Sequence, residues 1–105
     1  MGRLSHSFRS KNKTTLGFRK QYSQLPANVQ ALTRTACELF DANPGYNSLR
    51  HHQLVPRHNS SALSGSWSVS ITMQYRAIYV VDSDELNSWY WIGSHADYDR
   101  YVGKK

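Results

Sequence analysis

Two side chains near the carboxyl-terminal end of the chain could together transfer protons at a phosphate. His95 follows closely on a predicted strand, and histidine can act as a general acid or base near neutral pH. Arg76 is a lone cation among apolar residues of another predicted strand, and its planar guanidinium matches phosphate oxygens. The structural alternatives are a hydrogen bond from His95 that caps the strand end, and a buried ion pair between Arg76 and Asp97 or Asp99.

Further cations come in succession at Arg50, His51 and His52, before a segment of loop composition (residues 55–66) that contains Arg57. Adjacent residues point apart in regular structure, and no His-x-x-x-His pair or acid-rich cluster accompanies the histidines. The sequence therefore predicts no metal site and no cofactor.

Length and charge limit the range of functions. The 105 residues are predicted to form one domain, residues 1–105, near the lower size limit for a single adequate core. Thirteen lysines and arginines against seven acidic residues give a net charge of +6, which favours nucleic acid or an acidic protein as partner. The alternative is that the charge serves only solubility.

Cysteine content and hydropathy indicate the cellular compartment. The single cysteine, Cys37, excludes an internal disulfide and fits a reducing environment. Its place in a helical apolar pattern predicts a small core residue rather than a nucleophile. The sequence has no apolar run long enough to cross a membrane and no apolar signal peptide at its start. We therefore expect a soluble, cytoplasmic protein with no membrane partner.

Three strands are predicted in the second half of the chain. Residues 67–72 alternate between apolar and polar side chains, and only Met73 and Gln74 separate them from the next apolar run. This spacing predicts an antiparallel hairpin. The second strand, residues 75–81, is apolar on both faces and should lie in the middle of a sheet. A polar turn then leads to a third strand, residues 88–93.

The first half of the chain is predicted to be mainly helical. Apolar residues recur at helical spacing over residues 14–24 and again over 27–42, and Leu25-Pro26 separates the two segments. Before them, Leu4 to Phe8 alternates weakly and predicts a first strand that extends to about Asn12. The predicted class is α+β: an N-terminal strand, then a two-helix hairpin packed on an antiparallel sheet that ends in a three-stranded meander.

Several short motifs, in this order and spacing, resemble the RelE/ParE superfamily of toxins from type II toxin–antitoxin systems. The similarity spans roughly residues 15–101 and is carried by Phe18-Arg-Lys-Gln-Tyr-Ser-Gln-Leu-Pro26, Ser48-Leu-Arg50, Trp67-Ser-Val-Ser-Ile-Thr72, Tyr75-Arg-Ala-Ile-Tyr79 and Trp91-Ile-Gly-Ser-His-Ala-Asp-Tyr-Asp99.

This resemblance implies a toxin that is an enzyme, an mRNA endonuclease acting on message held in the ribosomal A site. Its implied partners are a cognate antitoxin protein, with which it forms a heterocomplex, and mRNA with the ribosome. The 2′-hydroxyl of RNA would attack the phosphate without a metal, which leaves a 2′,3′-cyclic phosphate. DNA has no 2′-hydroxyl, so this chemistry selects RNA.

The resemblance also suggests roles for individual residues. His95 lies where this family has a basic or histidine catalytic group, and Arg76 matches an arginine that binds the scissile phosphate. His52-Gln-Leu54 resembles the catalytic His-Pro-Leu of the YafQ-like branch, and Tyr98 could contact a base or the phosphate; core packing is the alternative for the tyrosines. The predicted RNA-binding residues are Arg50, His51, Arg57, Tyr101 and Asp99.

The chain also departs from the family pattern. The RelE branch has lysines on the strand before Tyr-Arg, and this strand has none. Ser70 and Gln74 stand where the YafQ branch has further catalytic residues, and the carboxy-terminal helix is predicted to be missing or very short. Two alternatives therefore stay open: a ParE-like inhibitor of DNA gyrase, and a catalytically degenerate relative that only binds an antitoxin.

Overall fold

The computed structural model describes residues 11–54 and 65–103, which form one five-stranded sheet with helices against both faces. The strands are β1 (Asn12–Thr14), β2 (His52–Gln53), β3 (Ser66–Thr72), β4 (Tyr75–Val81) and β5 (Asn87–Ser94). The helices are α1 (Leu16–Ser23), α2 (Ala27–Ala42) and α3 (His95–Val102), with a short 3-10 helix at Asn47–Leu49.

The sheet has the strand order β1-β5-β4-β3-β2. The antiparallel meander β3-β4-β5 and the α+β class are confirmed, and β2 adds an antiparallel edge. The sheet is mixed rather than purely antiparallel, because β1 runs parallel to β5 with Asn12 beside Asn87. The strand predicted at Leu4 to Phe8 lies outside the described residues; β1 contains only Asn12 from its predicted extension and continues to Thr14.

Strand β4 lies at the centre of the sheet and has a packed cluster on each face. One cluster joins Ala77 and Tyr79 to the helices α1 and α2. The other joins Ile78 to Trp91 and to Tyr98 of α3. A strand that is apolar on both faces was predicted to occupy this central position, and the prediction is confirmed.

Both helices of the hairpin form where the sequence predicts them. Thr15 caps α1 by accepting a hydrogen bond from the Phe18 amide, and Pro26 precedes the first turn of α2. The buried stripe of α2 differs in detail, because Thr33 is 3% exposed whereas Leu32 is 44% exposed. Thr33 can be buried because its hydroxyl donates to the carbonyl of Val29 in the preceding turn.

Two expectations for the helices were incorrect or incomplete. Cys37 is exposed on α2, so the prediction of a core cysteine is wrong; the buried stripe runs through Ala36, one position earlier. The carboxy-terminal helix is short but present, since α3 has eight residues. Ser94 caps it by accepting from the Asp97 amide, and Gly103 ends it in a left-handed conformation with φ 78°. None of the helices in the described ranges is long and apolar enough to cross a membrane.

Candidate active site on the α3 face of the sheet

The Arg76 side chain lies on the sheet face that α3 covers and makes two polar contacts there. Its Nη1 donates to the hydroxyl of Ser70 over 2.8 Å, and its Nε donates to Nδ1 of His95 over 3.2 Å. Ser70 is directly across the ladder from Arg76. The guanidinium is thus held between the strand and the first residue of the helix.

These contacts define which form of the His95 ring is present. Because Nδ1 accepts a hydrogen bond from Arg76, it carries no proton, and the proton of the neutral ring is at Nε2. Nε2 is 3.4 Å from a carboxylate oxygen of Asp99, one helical turn further along α3. Both nitrogen atoms of the ring therefore have a partner, and the carboxylate would stabilise a charged imidazolium.

Tyr98 forms the apolar support of this cluster. The guanidinium carbon of Arg76 is 5.1 Å from the centre of the Tyr98 ring, and the His95 ring lies 6.3 Å from it. The tyrosine is only 6% exposed and packs with Ile78 and Trp91. Its ring faces the cation and the core, an arrangement suited to positioning Arg76 rather than to stacking on a free base.

The ion pair considered for Arg76 does not form within the described part of the chain. Asp97 pairs with Arg100 on the surface of α3, and Asp99 lies beside His95. No carboxylate of the described residues therefore pairs with Arg76, and its contacts with Ser70 and His95 hold the guanidinium in a fixed orientation.

The two adjacent histidines lie on opposite faces of the sheet. His52 is paired with Ser68 across the ladder and lies on the same sheet face as Arg76. It is exposed on the edge strand, and its Nδ1 is 2.8 Å from the carbonyl oxygen of Arg50. Two strand spacings of about 4.8 Å separate β2 from β4, and His52 is in register with Ile78, two residues along β4 from Arg76, so the backbones at His52 and Arg76 are about 12 Å apart.

His51 faces the α1–α2 side instead. Its Nε2 shares a hydrogen bond of 2.8 Å with the Tyr79 hydroxyl, and its ring lies 4.8 Å from the indole of Trp67 and 5.2 Å from Phe40. Burial, and second the nearby charge of His52, lower the pKa of His51. The structure thus separates His51 from the cluster at His95.

The other predicted RNA-binding residues are dispersed. Arg50 is exposed in a left-handed conformation with φ 44° at the end of the 3-10 helix. Tyr101 stacks on Trp91 at 5.1 Å, on a different side of α3 from Arg76. Arg57 lies outside the described residues. Of the predicted site residues, the structure brings together Arg76, His95, Tyr98 and Asp99.

Sequence reasoning did not identify Ser70 as the anchor of Arg76. A regular hairpin closing between Thr72 and Tyr75 would place Ile71 opposite Arg76. An irregularity between Ser70 and Thr72 shifts the register by one residue, so that Ser70 is opposite instead. The only sequence signal for the contact between Ser70 and Arg76 is the polar side chain of Ser70 at the start of the bulge, and this signal is weak.

The fold is shared with solved toxin structures. A YoeB/ParE toxin from Agrobacterium tumefaciens is 19% identical, with a TM-score of 0.59 over 78% of this chain and 94% of that one. YafQ from Escherichia coli is 17% identical, with a TM-score of 0.61 over 82% and 93%. RelBE2, a toxin–antitoxin complex from Mycobacterium tuberculosis, contains a chain that is 20% identical, with a TM-score of 0.50 over 79% and 94%.

No family model and no curated protein sequence matches the chain. At identities of 17–20% the structural likeness establishes the fold alone, which the chain shares with these YoeB/ParE, YafQ and RelBE2 structures. The similarity that the sequence motifs suggested is therefore confirmed at the level of the fold.

Proposed function

We propose that this protein is the toxin of a type II toxin–antitoxin pair and that it cleaves mRNA on the ribosome without a metal ion. The observation that carries the proposal is the contact between Arg76 and His95, a phosphate-binding group and a proton carrier on one surface. The shared fold supports it, because the solved chains include a YoeB/ParE toxin and a toxin–antitoxin complex.

The catalytic step begins when a phosphate of the RNA binds to the guanidinium of Arg76. The guanidinium turns toward the phosphate oxygens and leaves Nδ1 of His95 free to accept a proton. His95 takes the proton of the 2′-hydroxyl, the 2′-oxygen bonds to phosphorus, and the bond from phosphorus to the 5′-oxygen breaks. Asp99, beside Nε2, stabilises the resulting imidazolium. The products are a 2′,3′-cyclic phosphate and a 5′-hydroxyl.

The departing 5′-oxygen needs a proton of its own. His52 is our candidate donor, because it is exposed on the same sheet face and two strands away from Arg76. A phosphate bound between the two histidines would have a proton carrier on each side. We propose that the ribosome orients the RNA in this position, since few cations of residues 11–54 and 65–103 lie around the cluster.

The proposed protein partner is an acidic antitoxin segment. The net charge of +6 would favour rapid association with such a segment, and one of the solved chains comes from a toxin–antitoxin complex. Expression of the chain alone in the cytoplasm of a host cell should arrest growth of that cell. Co-expression of the cognate antitoxin should restore growth.

Primer extension on translated and untranslated copies of one message tests the activity. We expect cuts in the translated copy and little cleavage of the untranslated copy. Equal cleavage of both copies would indicate a free-standing ribonuclease. Intact message together with trapped gyrase–DNA complexes would refute the nuclease proposal in favour of a gyrase inhibitor.

A further inference from the structure

A hydrogen bond to the backbone fixes the ring of His52 at the edge of the sheet. Its Nδ1 lies 2.8 Å from the carbonyl oxygen of Arg50, two residues earlier in the chain. A carbonyl oxygen can only accept a hydrogen bond, so Nδ1 carries the proton of this contact. In the neutral ring the free lone pair is therefore at Nε2, the outer nitrogen atom. His95 is held in the opposite form, because its Nδ1 accepts from Arg76.

Arg50, which supplies the carbonyl, has a left-handed backbone with φ 44° and ψ 44°. This conformation is disfavoured for a residue that has a Cβ, and it persists only where the surroundings impose it. Only His51 separates the acceptor from the donor ring of His52. A change in the backbone of Arg50 would therefore redirect the carbonyl that accepts from Nδ1.

Contacts on both sides of Arg50 impose its conformation. On the preceding side, Leu49 is fully buried beneath the 3-10 helix. On the following side, the His51 ring is bound by the Tyr79 hydroxyl over 2.8 Å and lies 4.8 Å from the indole of Trp67. The side chain of Arg50 is itself exposed. Buried neighbours thus hold a strained backbone whose carbonyl serves an exposed histidine.

Resting on the proposed function, we propose that the carbonyl of Arg50 positions the general acid His52 and that Nε2 gives the proton. The charged imidazolium carries a proton on each nitrogen atom. The proton at Nδ1 stays bonded to the carbonyl of Arg50. The bond between Nε2 and its proton breaks, this proton bonds to the departing 5′-oxygen, and the electron pair stays on Nε2. The neutral ring then has its proton at Nδ1, which is the form that the carbonyl already holds, so the ring does not rearrange during the step.

The protonation of the His52 ring can be observed in its ¹⁵N NMR signals. The measurement uses His95→Gln, a variant that should not arrest growth, at about pH 8, above the usual range in which histidine titrates. We expect the His52 signals, identified by their loss in His52→Gln, to show the proton at Nδ1. The neutral ring of free histidine has its proton mainly at Nε2, so the two results are distinct. A proton at Nε2 in the folded chain would overturn the proposal.

A pair of substitutions separates the backbone of Arg50 from its side chain. Arg50→Asn and Arg50→Val both remove the guanidinium, but asparagine tolerates the left-handed conformation and the β-branched valine does not. We expect Arg50→Asn to keep the proton at Nδ1 and Arg50→Val to lose this preference. In single-turnover cleavage of translated message, Arg50→Val should be about tenfold slower than Arg50→Asn. The difference should be smaller than the roughly 10²–10⁴-fold loss expected when a proton carrier is removed, because the ring is still present.

Arg50→Gly should cleave as fast as Arg50→Asn, because glycine adopts the left-handed conformation without strain. Thermal unfolding shows whether each variant is folded, and Arg50→Ala, which has an unbranched Cβ, replaces Arg50→Val if valine prevents folding. A folded Arg50→Val or Arg50→Ala that keeps the proton at Nδ1, or that cleaves as fast as Arg50→Asn, would overturn the positioning role while the nuclease stands. Intact RNA with the unmodified chain would instead overturn the nuclease, and with it the transfer of a proton from Nε2.

Discussion

The Nε of Arg76 donates a hydrogen bond to Nδ1 of His95 over 3.2 Å. This bond engages both the N–H that would bind a phosphate and the nitrogen that would accept a proton. An arginine that contacts the histidine cannot use the same N–H for a phosphate, and a histidine that accepts from arginine has no free lone pair at Nδ1. In the proposed reaction, substrate binding separates them. The phosphate would then both recruit the cation and expose the base.

Replacing His95 tests its role as proton carrier. His95→Gln should reduce RNA cleavage by roughly 10²–10⁴-fold, because the amide cannot accept and release a proton. Stability should change by only about 1 kcal/mol, the typical contribution of one partly exposed hydrogen bond. Cleavage of translated message and thermal unfolding should be measured on the same preparation.

Antitoxin binding is the control for this variant. A folded His95→Gln protein should still bind its antitoxin, since the substitution changes one side chain at the start of α3. If the folded variant cuts RNA or arrests growth as well as the unmodified chain, His95 is not the catalyst.

Substitutions of Arg76 distinguish charge from geometry. Arg76→Lys keeps the charge but loses the planar fork that contacts Ser70 and His95 together, so we expect RNA cleavage to fall at least tenfold. Arg76→Ala should also lower the free energy of unfolding by roughly 1–2 kcal/mol, since the contact over Tyr98 is lost.

Ser70→Ala provides the matched control for Arg76. It removes the anchor of the guanidinium but leaves the cation, so cleavage should fall by less than in Arg76→Lys. If Arg76→Ala loses cleavage only in proportion to the unfolded fraction, the arginine is structural and does not bind the phosphate.

Asp99 is predicted to assist His95 through the imidazolium. Asp99→Asn should lower the cleavage rate about tenfold, because a hydrogen bond to a charged group contributes about 1.5 kcal/mol and 1.36 kcal/mol corresponds to a factor of ten. The loss should be smaller than for His95→Gln, since the contact is long at 3.4 Å. Single-turnover cleavage would measure it, with Asp84→Asn in the exposed β4–β5 turn as the control; equal rates for both variants would contradict the role.

Much of the fold could be predicted from local patterns. Alternation in β3, the short turn at Met73 and the helical spacing in α1 and α2 all depend on neighbouring residues, and the structure has these elements where they were expected. The strand predicted at Leu4 to Phe8 lies outside the described residues, and the course of β1 beyond Asn12 was not predicted because a three-residue edge strand has almost no periodicity of its own. Its position is fixed by distant contacts, such as the bond from the Trp89 indole to Asn12.

The composition of the site was harder to predict than the fold. Family motifs led to His95 and Arg76, but their contact with each other depends on the three-dimensional course of α3 and on the bulge after Ser70. The assignment of His51 to the RNA surface illustrates the limit. Its neighbour His52 is on the Arg76 face, whereas His51, just before the strand, lies on the other face and is half-buried against Trp67.

The half-buried position of His51 predicts that acid destabilises the fold. Burial, followed by the charge of His52, lowers the pKa of His51 below its usual value of 6.5, so the folded state favours the neutral ring. Above pH 6.5 the ring is neutral in the folded and in the unfolded state, so His51 does not lower the free energy of unfolding there. As the pH falls through about 6.5, the unfolded chain takes up a proton that the folded chain resists, and the free energy of unfolding falls.

Urea unfolding at several pH values between about 7.5 and 5.5 would measure this loss. His51→Gln should lose stability overall, because it gives up ring contacts with Trp67 and Phe40, but it should show a flatter pH dependence since the amide does not titrate. His52→Gln is the control: this neighbouring histidine is exposed, so most of the pH dependence should persist. Parallel pH profiles for the unmodified chain and His51→Gln would show that another group causes the acid sensitivity.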